Sequence, residues 1–219
     1  MYIGWIDYLN VMSELFANKY RTNSVRLKHW DYSKEGIYFI TICTKGRIPF
    51  FGEIRKSKHA NAGEDGEDTP LVHTPIGEIA QEEWLKTPEI RSDMQLLLGE
   101  FVIMPDHMHG IICIGNNHPE KQPSNVARPS PREHAPLNQF GPQSRNLASI
   151  IRGYKSAVST RARKMELDFA WQANYYEHII RSFTDYQRIE QYILRNPTQS
   201  AFLLRQQYPL SVRKKAQDL

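Results

Sequence analysis

Apolar positions recur along this chain with two different spacings, and the spacing separates its strands from its helices. Gly36 to Thr44 is dense in β-branched and aromatic residues and reads as a strand, closed by a turn at Lys45-Gly46. Ile76, Ile79, Ala80 and Trp84 recur at helical spacing between Pro75 and Pro88, which predicts an amphipathic helix. Met94 to Gly99 and Phe101 to Met104 are apolar runs. They lead through a bend or bulge at Pro105-Asp106 into a further strand, His107 to Ile114. Leu147, Ile150, Ile151, Tyr154 and Val158 line one face of a second helix, whose other positions include Arg152, Lys155, Arg161 and Arg163. Tyr175 to Ile180 alternates loosely, as a strand does. A last helix begins at Ser182, with Asp185 as a cap-like acid three residues on, and is expected to stop near Asn196 because Pro197 follows.

Two polar stretches without periodicity interrupt this order, at about 55–72 and 116–144. Both read as insertions outside the core. His59 and His73 at the margins of the first are expected to be exposed, and His118 and His134 fall inside the second. The chain divides into an amino-terminal extension (1–22), one domain (23–201) and a basic tail (202–219). With 219 residues and 40% hydrophobic content it can fill one sizeable core. No run approaches the roughly 18 apolar residues of a membrane span. The first residues lack the basic flank and cleavage site of a signal peptide, so a cytoplasmic protein without membrane partners is expected. Cys43 and Cys113 form no C-x-x-C pair and sit in apolar runs, where a small buried thiol is the simplest role.

Charge changes the picture more by its distribution than by its net value of +4. From Ser144 onward there are thirteen Lys and Arg against six Asp and Glu. The carboxy-terminal third is therefore the basic part, which suits a polyanion such as nucleic acid, although each basic helix position also reads as a plain solvated face. Arg152, Lys155, Arg161 and Arg163 are the candidate phosphate contacts.

Two features carry candidate chemistry. His107 and His109 are two apart in a strand, so both imidazoles share a face while Met108 turns away, which gives half of a metal site. In the last helix, Phe183, Tyr186, Ile189 and Ile193 form the apolar stripe, whereas Tyr192 groups with Asp185, Arg188, Arg195 and Asn196 on a polar side. Asn196 lies one turn beyond Tyr192, so its amide and the phenol can converge on one site. Asn196 has a second reading as a helix C-cap before Pro197. Tyr154 and Tyr186 belong to apolar stripes, and His178 and Trp171 read first as structural residues.

The order of these elements, with Met104-Pro105-Asp106-His107-Met108-His109-Gly110, the basic helix, Trp171-Gln172-x-x-Tyr175 and Tyr192-Ile193-Leu194-Arg195-Asn196-Pro197, resembles the REP-associated tyrosine transposases. These are single-tyrosine HUH transposases, in which U is a hydrophobic residue. The resemblance runs from about Asn23 to Ala201 and leaves out the first twenty residues, both insertions and the last few residues. It implies an α+β, ferredoxin-like antiparallel sheet with helices packed on one face. It also implies that Tyr192 attacks single-stranded or hairpin DNA to give a covalent 5′-phosphotyrosine, with His107, His109 and Asn196 as metal ligands. The protein would then work as a monomer or homodimer, with Tyr192 acting in cis or in trans.

Elementary chemistry points the same way. A phenol of pKa about 10 is a poor nucleophile at neutral pH, and a phosphodiester repels anions, so the site must polarise the phosphate. Imidazole and amide donors suit octahedral Mg²⁺ or Mn²⁺ with positions left open for phosphate oxygens. Two other functions remain open at this stage: a non-catalytic DNA-binding regulator on the same fold, and a metal-dependent hydrolase that uses bound water and has no need of Tyr192.

Overall fold

The segment Gly36–Cys43 is buried along its whole length, which places it at the centre of a sheet with both faces covered. The computed structural model describes residues 15–16, 20–21, 30–55, 71–115 and 144–207. Two short pairs, β1 (Leu15–Phe16) with β2 (Tyr20–Arg21), and β4 (Gly52–Ile54) with β5 (Leu71–His73), lie outside the main sheet. The main sheet joins β3 (Gly36–Cys43), β6 (Leu97–Met104), β7 (His107–Ile114) and β8 (Tyr176–Ile180), all neighbours antiparallel, in the order β6-β7-β3-β8. With α1 (Pro75–Ile90) and α2 (Leu147–Lys164) interposed, the succession β3-α1-β6-β7-α2-β8 is the ferredoxin-like βαββαβ arrangement. The protein is thus α+β, as expected.

The sheet separates two cores, because alternate strand residues point to opposite faces. Tyr38, Ile40, Ile42, Met108 and Ile112 face α1 and α2, where Trp84, Tyr154, Ile150 and Val158 complete the larger cluster. Ile37, Phe39, Ile111 and Cys113 face the other way, onto Tyr186, Ile189 and Ile193 of α3 (Phe183–Gln207). Only α1 and α2 share a face. The expectation of helices on one face alone is corrected: α3 covers the opposite face, since its apolar stripe needs a partner and that face is otherwise apolar and open.

Local structure departs from the sequence reading in three places. Pro197 does not end the last helix, which continues to Gln207, so Asn196 is an interior residue and not a C-cap. Proline's fixed φ is compatible with a helix, and the buried Ile193 and Asn196 hold the preceding turn helical despite the lost hydrogen bond. Phe183 is 40% exposed and stacks on Tyr186 instead of joining the core. His73 is half-buried in β5, its Nε2 3.0 Å from the carbonyl of Ile103, because the chain already pairs there as a strand. His59, His118, His134 and most of both insertions lie outside the described residues. The buried thiols of Cys43 and Cys113 and the core positions of Tyr154 and Tyr186 are as expected.

The pair β4–β5 is seated on α1 through Gly77, where a Cβ would collide with the Phe51 carbonyl oxygen and stand 3.1 Å from His73 Cβ. On an open helix surface Gly→Ala stabilises by about 1 kcal/mol. Here Gly77→Ala is expected to reverse that sign and cost about 1–3 kcal/mol through overpacking, seen as a lower melting temperature by circular dichroism.

Candidate active site

Pro105 and Asp106 form a two-residue link between β6 and β7, so Met104 pairs with His107 and the strand that carries the histidines starts directly at the turn. The turn is tied to the connection after β3. Thr44 N–H and Oγ1–H both donate to the Asp106 carbonyl, and Phe51 N–H donates to that of Pro105. Register then places His107 opposite Cys43 and His109 opposite Thr41, on the face covered by α3.

Each imidazole is held at Nδ1 by a different neighbour. His107 Nδ1 is 2.6 Å from Asp106 Oδ1, and His109 Nδ1 is 2.8 Å from Thr41 Oγ1. Burial opposes ionisation of Asp106, but the bond from His107, its charge and that of Arg47 outweigh it and hold the carboxyl below its usual range. An ionised carboxylate can only accept, so His107 Nδ1 carries a proton and donates it to Asp106. Burial, then the His107 and Arg47 charges, push the His109 pKa well below its usual value, so His109 is neutral. Its ring stacks on Phe39 with centroids 5.3 Å apart.

The two Nε2 atoms face each other at 3.1 Å. Two nitrogens bound to one ion at about 2.1 Å in adjacent octahedral positions lie about 3.0 Å apart, so the pair fits a small divalent cation. The Thr41 hydroxyl suits either state of the site. It can donate to Nδ1 while the His109 Nε2–H points at His107, or accept from Nδ1–H and free the Nε2 lone pair. Among the described residues, no group of three or more His, Cys, Asp and Glu side chains is arranged to hold a metal. A full ligand set would need a different donor, and the Asn196 amide is the one at hand.

The α3 helix brings Tyr192 to this pair. Its Oη is 3.2 Å from His109 Nε2, its ring meets Phe39 edge-on at 6.1 Å, and the residue remains 40% exposed. Burial raises its pKa, while a hydrogen bond with the Asn196 side chain and the charge of Arg47 draw it back. His107, His109, Tyr192 and Asn196, singled out separately in sequence, are therefore contiguous. Three further groups join them that sequence reasoning passed over: Thr41, Asp106 and Arg47, whose Nε is 2.8 Å from Asp106 Oδ2. Adjacency to His107 could have flagged Asp106. Thr41 becomes visible only once strand register is known.

No family model matches the sequence. An uncharacterized protein of Haemophilus influenzae is 36% identical over 182 residues, covering 83% of this chain and 91% of that protein. The chain belongs to that protein's family. Among solved structures, a REP-associated tyrosine transposase bound to a REP hairpin matches 82% of this chain and 74% of its own at 17% identity, with a TM-score of 0.45. No helix among the described residues of this family member is long and apolar enough to cross a membrane.

In this member of the family the four basic residues of α2 stand apart from the tyrosine, because α2 packs on the other face of the sheet. Arg161 binds Glu82 and Glu83 of α1, and Arg163 turns back onto Ser159 and Thr160. Arg152 is exposed. Lys155 Nζ donates to the carbonyls of Gln172, Ala173 and Asn174 and lies 5.7 Å from the Trp171 ring centroid, clamping the segment before β8. His178 is bound to Asp185 of α3, consistent with a structural role.

Burial pulls the Lys155 ammonium down to about 8, with the Cys43 thiol acting slightly against it. An unfolded lysine titrates near about 10.4, so between the two values the unfolded chain binds more protons and stability rises with pH. Relative to Lys155→Met, the urea midpoint of the wild type is expected to rise from pH 8 to pH 10 and to hold level below pH 7.

Proposed function

We propose that this protein cleaves and rejoins single-stranded, hairpin-bearing DNA through a covalent 5′-phosphotyrosine at Tyr192. The observation that carries the reading is the placement of a partly exposed phenol 3.2 Å from one of two imidazoles whose Nε2 atoms converge. A structural tyrosine would bury its ring and bond a carbonyl, as Tyr154 does with Ala80. Tyr192 instead presents its oxygen where two imidazole nitrogens meet.

His107, His109 and the Asn196 amide would hold a Mg²⁺ or Mn²⁺ ion, which when bound polarises the scissile phosphate and offsets its charge. The residues of the chain do the rest. Asn196 and Phe39 fix the phenol's direction, and the Arg47 charge favours the phenolate that burial disfavours. The Tyr192 oxygen forms a bond to phosphorus as the bond to the 3′ oxygen breaks; the phenol gives its proton to solvent and the departing oxygen takes one up. The phosphotyrosine bond keeps the energy needed for rejoining, so reversal by a 3′-hydroxyl requires no nucleotide cofactor. Asp106 and Thr41 bond the two imidazoles at Nδ1 and so orient both rings with their Nε2 atoms toward each other.

The deciding experiment incubates purified protein with labelled hairpin DNA and Mn²⁺, separates the products on a denaturing gel and maps the modified peptide by mass spectrometry. A protein–DNA adduct on Tyr192 that disappears with a chelator is the expected result. Binding without any adduct across many hairpins would favour the non-catalytic regulator. Cleavage without an adduct would favour the hydrolase.

A further inference from the structure

The positive charges that sequence reading assigned to DNA lie on α2, across the sheet from Tyr192, and Lys155, Arg161 and Arg163 are engaged with protein groups. A different cation lies on the tyrosine's own face of the sheet. Arg47 follows β3 in a tight turn in which both Gly46 and Arg47 have positive φ, 64° and 59°. This turn folds its guanidinium back over the Cys43–His107 pair, on the same face as Tyr192.

There the guanidinium is held at two of its three nitrogens. Nε pairs with Asp106 Oδ2 at 2.8 Å, and Nη1 donates to Cys43 Sγ at 3.0 Å. Nη2 makes no hydrogen bond among the described residues, and the side chain is 38% exposed. The same Asp106 carboxylate binds His107, so Arg47, His107, His109 and Tyr192 form one continuous chain of contacts. A purely structural Arg–Asp pair has no need of an unengaged nitrogen at this place. An arginine with two nitrogens anchored and the third left to donate is suited to receive a non-bridging phosphate oxygen.

Building on the transferase reading, we propose that Arg47 is the phosphate-binding residue of this site, donating from Nη2 to the phosphodiester that Tyr192 attacks. The ligand class is a phosphate monoanion or phosphodiester, with no base recognition required of Arg47.

Two measurements separate this proposal from the reading it builds on. In the first, metal-free protein is titrated with inorganic phosphate while the backbone amide signals of the turn that holds residue 47 are followed by NMR. A saturable shift is expected, with at least tenfold weaker phosphate binding in Arg47→Gln. In the second, adduct formation on hairpin DNA with Mn²⁺ is timed. Arg47→Gln is expected to slow it about a hundredfold with DNA affinity within threefold of wild type, and Arg47→Lys to restore part of the rate. Arg47→Gly, which suits the positive φ, serves in both assays should the Gln variant fold poorly. Unchanged phosphate binding together with an unchanged adduct rate would overturn the role of Arg47 and leave the transferase reading intact. If wild type forms no adduct, the transferase reading falls, and the phosphate titration alone decides whether Arg47 binds anions.

Discussion

The Tyr192→Phe protein is expected to bind hairpin DNA as wild type does and to form no covalent adduct, a loss of roughly 10⁴-fold or more. The substitution removes one oxygen and keeps the ring, so the edge-on contact with Phe39 at 6.1 Å survives. What goes is the hydroxyl's approach to His109 and its bond with the Asn196 side chain, worth about 1 kcal/mol net. The melting temperature should therefore fall by only about 2–4 °C. The pairing of total chemical loss with near-native stability marks a nucleophile. Tyr186→Phe, at a buried position, is the matched control and should keep forming the adduct.

The second large effect falls on the histidines and separates them from each other. His107→Ala and His109→Ala should both abolish adduct formation, because either leaves a single nitrogen where two converge at 3.1 Å. Their stabilities should differ. His109 is 6% exposed, stacked on Phe39 and bonded to a buried threonine, so truncation opens a cavity and strands the Thr41 hydroxyl. The expected cost is about 2–4 kcal/mol, or roughly 5–10 °C in melting temperature. His107 sits at the strand end with its side chain 12% exposed, and its removal frees Asp106 to keep its pair with Arg47. Its loss should cost about 1 kcal/mol. Equal melting curves for the two variants would contradict this account of what holds each ring. For His107→Ala, a wild-type adduct rate would contradict the chemistry instead.

Periodicity made much of this architecture legible. The α2 stripe of Leu147, Ile150, Ile151, Tyr154 and Val158 is buried in full, and the two-residue spacing of His107 and His109 does put both rings on one face. Local pattern failed where the outcome depended on partners distant in sequence. Whether α3 joins α1 and α2 or crosses to the other face is decided by which strand surface still lacks a cover, and no run of residues encodes that. Pro197 looked like a stop because a proline penalty is local, whereas the packing of Ile193 and Asn196 that overrides it is not. The basic residues of α2 read as a polyanion-binding surface because a sequence shows charge without showing Glu82, Glu83 or the carbonyls that engage it. Arg47 was hidden for the opposite reason: a Lys-Gly-Arg turn reads as surface, and only the fold carries it to Asp106.

Chain order gives the βαββαβ layout a consequence in time. A nascent polypeptide that has emerged through β7 already possesses both imidazoles, the Asp106 turn and the threonine behind them. Tyr192 arrives only after α2 and β8 have been made. The paired imidazoles are thus in place before the phenol, and docking of the last helix is the event that completes the cluster.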